Sequence, residues 1–345
     1  MTRVTVVSPE PTPYRAPLFD RIAARDDIDL LVLYASETVA GRTWRVALHH
    51  AHRFLRGVRV PGARRVLRHD YPVTVGIVAE LVRSHPDVVV VSGWSTYASQ
   101  AALLWCRARS VPYVLHVESH DLDPRPPWRK ALKDVVAARA IRGAAAVLVV
   151  GSAARESVLA RGAEDARVFA NTIDVDRWIA RADALKPRAR DHPIVLSVGR
   201  DLPEKGFDVL RAACAEAHVQ LETVHAGLAE EELAQRYVNA DIFALVSRHE
   251  PWGVVVNEAA ASALPLVLSD RVGAAYDLLR DGENGYLVPA GDVHALAVAL
   301  RVLARDAELR RRMGARSREL VRAWGYDESV ENFVVTVREA ASARP

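Results

Sequence analysis

Residues 194–206 read Ile194-Val195-Leu196-Ser197-Val198-Gly199-Arg200-Asp201-Leu202-Pro203-Glu204-Lys205-Gly206. Five residues suited to a buried strand run into a glycine-bounded loop, and Phe207–Ala217 then carries apolar residues at helical spacing. Another short apolar run, Leu221–His225, follows directly. Strand, loop, helix and strand within about thirty residues make a parallel βαβ unit.

The same grammar continues on both sides. Toward the C-terminus, strands are predicted at Ile242–Val246, Pro265–Leu268 and Gly285–Val288, with helices at Glu230–Asn239 and Gly253–Ala263 between them. Toward the N-terminus, strands are predicted at Arg3–Val7, Leu30–Tyr34, Asp87–Val91, Tyr113–Val117, Ala145–Val150 and Arg167–Ala170. Helices at Tyr14–Ala24, Tyr97–Arg107 and Trp128–Arg142 fall between those. The alternation pauses over the polar stretch from Asp176 to Pro193, which reads as an inter-domain linker. The expected division is a first domain over 1–178, a linker over 179–192, a second domain over 193–324 and a C-terminal helix over 325–345, with a crossing back to the first domain left open. The fold class is α/β, as two Rossmann-like domains with parallel sheets facing each other across a cleft.

Composition sets the outer bounds. With 345 residues, half of them apolar, the chain has room for two such domains. No apolar run approaches the roughly 18 residues that a membrane span needs, and the first residues lack the pattern of a signal peptide. Cys106 and Cys214 lie far apart without metal-type neighbours, which suits a reducing compartment, so a cytoplasmic location is expected. Only Lys130, Lys133, Lys186 and Lys205 among the 46 basic residues are lysines. Against that Arg-rich background, a lysine inside a glycine-bounded loop stands out.

In open parallel sheets ligands sit beyond the carboxyl ends of the strands, so chemistry is sought in the loops that follow them. The loop Gly199–Gly206 offers glycines for close backbone approach and the cations Arg200 and Lys205 for a pyrophosphate. Taken alone, it fits a solvated βα turn equally well. The loop after the strand Ile242–Val246 reads Ser247-Arg248-His249-Glu250-Pro251-Trp252-Gly253-Val254-Val255-Val256-Asn257-Glu258-Ala259. A helix beginning near Trp252 or Gly253 presents free amides at its positive end, beside Glu250. Glu258 then lies about 8 Å further along the axis, roughly the distance from a diphosphate to its ribose. An ionised Glu258 in so apolar a helix needs strong donors, which a ribose diol supplies; an arginine from elsewhere in the chain is the alternative.

The Gly-Arg-x4-Lys-Gly loop followed by Glu-Pro-Trp-Gly-x4-Glu-Ala resembles glycosyltransferase family 4, retaining enzymes of the GT-B fold. Tyr237-x2-Ala240-Asp241, Leu264-Pro265-Leu266-Val267-Leu268-Ser269-Asp270 and Asp281-Gly282-Glu283-Asn284-Gly285 fit the same register. The resemblance implies that Glu250 contacts the donor sugar hydroxyls, that Glu258 binds the ribose, and that Arg200 and Lys205 hold the diphosphate. Gly199, Trp252, Gly253 and Val254 complete the implied donor set. The chain departs from the family pattern at Ala263, where a glycine is usual, and in the short stretch after Gly227, which bears on the nucleobase pocket.

The first half resembles the family less closely. The loop Ser8-Pro9-Glu10-Pro11-Thr12-Pro13-Tyr14-Arg15 stands where many members carry a Gly-Gly pair, and it is expected to wall the acceptor cleft. The strand Tyr113–Val117 leads into Glu118-Ser119-His120-Asp121. Many members place a histidine near the reacting carbon at the position of Glu118, so Glu118 and then His120 are the candidates here, with His116 packed in the sheet. A polar turn with surface histidines is the alternative. The segment Arg42–His69 holds eight arginines, four histidines and no acid, interleaved with apolar residues. It fits either contact with an anionic membrane surface, giving a peripheral location on the inner face, or an Arg-rich solvated helix. No nucleic-acid-binding signature accompanies it.

The expected function is retaining transfer of a hexose-type sugar from a nucleotide diphosphate-sugar to a hydroxyl of a glycan, lipid-linked or small-molecule acceptor. A sugar-nucleotide epimerase and a non-catalytic nucleotide-sugar-binding partner are the alternatives. No cofactor beyond the donor co-substrate and no obligatory metal are expected, since no Asp-x-Asp stands beside the diphosphate loop and no His/Cys cluster appears.

Overall fold

The computed structural model describes residues 1–38, 46–59, 71–122, 127–188, 192–225 and 227–343, with the backbone alone for 127–133. Two parallel sheets organise it. The first contains β1 (Thr2–Ser8), β2 (Ile28–Tyr34), β3 (His52–Phe54), β4 (Val88–Ser92), β5 (Tyr113–Val117), β6 (Ala146–Val149) and β7 (Arg167–Val168), in the spatial order β3-β2-β1-β4-β5-β6-β7. The second contains β8 (Ile194–Val198), β9 (Gln220–Val224), β10 (Ile242–Leu245), β11 (Leu266–Ser269) and β12 (Gly285–Val288), in the order β12-β11-β10-β8-β9.

Continuous apolar strands follow from burial on both faces. All of β4, Val88-Val89-Val90-Val91-Ser92, is shielded, as is all of β10. One face of the first sheet is covered by the helices Ala16–Ala23 and Tyr326–Ser342, whose Leu18, Phe19, Ile22, Phe333, Val334 and Val337 pack on Val4, Val6 and Val90. The last helix therefore lies on the first sheet, after a tight turn at Arg322–Trp324. One face of the second sheet is covered by the helices Phe207–Ala217 and Val293–Arg305. A third, continuous cluster joins the two halves, with Val150, Trp178, Trp252, Ala274 and Ala275 among its members.

Two differences from the sequence reading have simple causes. The expected linker begins as a helix, Val175–Ala184, capped by Asp174, whose side chain accepts from the Arg177 amide at 3.1 Å. Its buried residues, Val175, Trp178, Ile179 and Ala182, repeat at i, i+3, i+4 and i+7, a narrow stripe hidden among charges. The Arg- and His-rich segment contributes β3, which pairs with Val32–Tyr34 and stacks Phe54 on Tyr34 with ring centroids 5.6 Å apart. Residues 42–45 and 60–69 of that segment lie outside the described residues.

Each sheet has one point where successive connections leave in opposite directions. In the first it lies between β1 and β4, and in the second between β8 and β10. Such points open crevices beyond the strand ends. The Gly199–Gly206 and Ser247–Gly253 loops flank the second of them.

Candidate active site

The two loops of the second sheet are bound to each other. The Arg248 amide donates to the Glu204 carbonyl at 2.7 Å, and the Lys205 ammonium pairs with the Glu250 carboxylate. Both side chains of that pair are largely shielded, 17% and 15% exposed, so the contact is stronger than a surface ion pair. Gly206 makes the approach possible. Its φ is +70°, and a Cβ there would run into the Val246 carbonyl.

Gly253, with φ +100°, turns the chain into the helix Val254–Ala261. Among the described residues, the amides of Gly253, Val254 and Val255 face no backbone acceptor, as expected of a helix start. Arg200 is exposed at the rim and has no ion pair among the described residues, while the Gly199 amide is used by the Val224 carbonyl at 2.9 Å. The sequence-predicted donor set of Gly199, Arg200, Lys205, Glu250, Gly253 and Val254 thus comes from two adjoining loops at one sheet end.

Glu258 sits further along the same helix. Tyr237, from the preceding helix Glu230–Val238, donates its hydroxyl to the Glu258 carboxylate at 2.7 Å. Burial pushes the Glu258 carboxyl up to about 7; the Tyr237 hydrogen bond opposes that rise, and the charge of Glu230 adds to it. The partner is therefore a tyrosine rather than an arginine. Tyr237 was missed as a site residue because a tyrosine on an amphipathic helix reads as core, and its ring is indeed packed against Phe243 and Trp178.

On the first sheet, Arg15 organises the strand ends. Its buried guanidinium meets His116 Nδ1 at 2.8 Å, donates to the Asn171 side chain and pairs with Glu118 at 2.8 Å. Burial, with Arg15 close by, holds the His116 imidazole well below its usual range and so neutral. Glu118 is 42% exposed at the mouth of this cluster. The Tyr14 phenol is kept protonated by burial and then by the charge of Glu118, with a smaller contribution from Glu250. Tyr14 thus lies within electrostatic reach of carboxylates from both sheets.

β5 ends at Val117, so Glu118 and His120 lie in the loop that follows it. Two of the expected site side chains are engaged elsewhere. His120 is fully buried with both ring nitrogens engaged by backbone: Nδ1 accepts from the Leu122 amide at 3.2 Å and Nε2 meets the Glu250 carbonyl at 2.9 Å. Neither nitrogen is offered to a reacting hydroxyl, so in this arrangement it is no proton acceptor. The Trp252 indole is turned into the core. It is buried, donates to the Asn257 side chain at 3.0 Å and lies 5.0 Å from the Trp324 ring, leaving the Trp252 backbone as its part in the loop. The inter-domain contacts leave no local mark along the chain. Asp277 accepts from the Ser152 amide at 2.9 Å and from its hydroxyl, and Asn257 donates to Thr172 at 3.1 Å.

Two parallel sheets joined in this way, with a glycine-bounded cationic loop, a helix start and two spaced glutamates at one crevice, define the GT-B class. Residues 3–172 match the family described as "Glycosyl transferase 4-like domain", and residues 221–320 match "Glycosyl transferases group 1". The chain belongs to the group 1 glycosyltransferases of family 4. It is 29% identical over 280 residues to sulfoquinovosyl transferase SQD2 of Arabidopsis thaliana, covering 70% of this chain and 54% of that one. It is 32% identical over 200 residues to a GDP-mannose-dependent alpha-mannosyltransferase of Mycobacterium tuberculosis, covering 51% and 52%. The chain thus spans about half the length of the curated relatives it matches. Its fold is that of Anabaena Alr3699/HepE, solved in complex with UDP and glucose, with a TM-score of 0.70, 16% identity and coverage of 98% of this chain and all of that one.

Proposed function

We propose that this chain transfers a hexose-type sugar, with retention, from a nucleoside diphosphate-sugar to a hydroxyl acceptor. One observation carries the reading: Lys205, Glu250 and the start of the helix Val254–Ala261 meet at the second sheet's switch point, with Glu258 further along that helix. In this reading the diphosphate takes its place among Lys205, Arg200 and the free amides, partly relieving Lys205 of Glu250. The freed Glu250 carboxylate then accepts from the sugar hydroxyls, and Glu258 accepts from the ribose. Negative charge building on the leaving phosphate meets fixed cations and dipoles that need no reorganisation. The acceptor enters from the first sheet, between Tyr14 and Glu118. The name of one relative, a phosphatidyl-myo-inositol mannosyltransferase of Mycobacterium leprae, and the exposed Val58 between the exposed Arg56 and Arg59 support an acceptor met at an anionic bilayer surface.

The test is a thermal-shift screen of UDP- and GDP-linked sugars. A donor at 100 times its dissociation constant stabilises the protein by about 2.7 kcal/mol. No shift with any nucleotide-sugar would remove the reading, and a shift without release of nucleoside diphosphate in the presence of acceptors would indicate a binding protein. Turnover that persists in a chelator is the expected result, because the leaving charge is assigned to side chains and amides.

A further inference from the structure

A closed hydrogen-bonded circuit crosses the junction between the two sheets. The Leu122 amide donates to His120 Nδ1 at 3.2 Å, and His120 Nε2 donates to the Glu250 carbonyl at 2.9 Å. The Glu250 amide donates to the Arg271 carbonyl at 3.0 Å, and Arg271 Nη1 donates to the Leu122 carbonyl at 2.8 Å. Because Nδ1 accepts, the ring hydrogen must sit on Nε2, so every link has a defined donor and acceptor. The Glu250 carbonyl takes a second hydrogen bond from the Gly273 amide at 3.0 Å. A Cβ at Gly273 would overlap the Pro251 carbonyl and press on the His120 ring, so the circuit requires glycine there.

The side of the circuit from the first sheet is itself fixed. Arg161 grips both oxygens of Asp121 at 2.6 Å, and Arg15 holds Glu118 at 2.8 Å. The loop Glu118–Leu122 is therefore anchored at two points before it reaches across. On the far side it holds the backbone of the residue whose carboxylate sits on Lys205.

We propose that His120 and Arg271 are positioning residues: the circuit forms when the two domains meet and fixes the backbone of Glu250, and so the place of its carboxylate beside Lys205. Approach of the acceptor-side loop and readiness of the donor site become one event. The catalytic part of this inference rests on the function proposed above; the structural part does not.

The test uses the full chain with His120→Ala, His120→Gln and Arg271→Met. Amide exchange without ligand reports the structural part. Exchange in the segment 247–253 should quicken by about tenfold in His120→Ala and Arg271→Met, stay near wild type in His120→Gln, and remain unchanged in β5. Release of nucleoside diphosphate from UDP-glucose and GDP-mannose reports the catalytic part. There kcat should fall by about 10- to 100-fold in His120→Ala, with KM changed by less than about threefold and much of the loss restored by glutamine. Unchanged exchange in both truncating variants would overturn the inference, as would a glutamine variant as impaired as alanine. Absence of release by the wild-type protein would refute the proposed function instead, leaving the exchange result to decide the circuit.

Discussion

Tyr237 and Glu258 form a phenol–carboxylate pair, 2.7 Å from oxygen to oxygen, on two neighbouring helices of the second domain. The pair is incomplete, because burial still outweighs the hydrogen bond and leaves the Glu258 carboxyl at about 7. A ligand that brings further hydroxyl donors completes it.

The first prediction follows from that value. In the free protein Glu258 is largely protonated below pH 7, whereas ribose hydroxyls favour the ionised form. Donor affinity should therefore rise with pH up to about 7 and level off above it, with up to about tenfold loss per unit below. A nucleotide-sugar has no phosphate titrating in that range, so calorimetric binding at pH 6 should release close to one proton, and at pH 8 none. Equal affinity and no proton release at both values would contradict the assignment. Tyr237→Phe removes a bond that favours ionisation and should move the transition to higher pH.

Lys205→Ala should cost about 2–4 kcal/mol in kcat/KM, the scale of one charge-assisted contact that strengthens in the transition state. It also leaves Glu250 shielded and unpaired. A double variant with Glu250→Gln should therefore lose less than the two single variants together, measured as a mutant cycle on nucleoside diphosphate release. Additive losses would mean that the two side chains act independently.

Asp277 caps the helix Ser152–Leu159 from the other domain, accepting from both the amide and the hydroxyl of Ser152. Asp277→Ala should lower stability by about 1–2 kcal/mol, with Asp277→Asn retaining part of it, read from denaturant midpoints. If the alanine variant were as stable as the parent, the cap would contribute nothing to holding the domains together.

Gly206→Ala places a Cβ against the Val246 carbonyl at a φ of +70° and should destabilise by more than about 1 kcal/mol while weakening donor binding. Gly76→Ala is the control, since Gly76 has open space and an ordinary φ of −79°. It should change stability by less than about 0.5 kcal/mol. Similar outcomes for the two would argue against the tight passage at Gly206.

Much of the second domain was legible from residues 194–259, because a glycine-bounded loop, a helix start and a buried glutamate each leave a local mark. The strands Tyr113–Val117, Ile194–Val198 and Gly285–Val288 fall where apolar runs place them. What stayed hidden was non-local. Arg15 lies 101 residues from His116 and 156 from Asn171, and nothing near Arg15 announces its burial. His120 reads as a reactive histidine until its two backbone partners are seen. Charges from Asp176 onward masked the stripe through Trp178, and no apolar run marks β3, an edge strand whose aromatic contacts stack along the sheet.

The return of the helix Tyr326–Ser342 to the first sheet bears on how the molecule is made. During synthesis from the N-terminus, Val4, Val6 and Val90 must wait for Phe333 and Val337, which the ribosome adds more than 240 residues after Val90. The second domain can close while the first still shows a bare apolar surface to the solvent and to chaperones. The first sheet is thus fully covered only once the last helix of the chain has been translated.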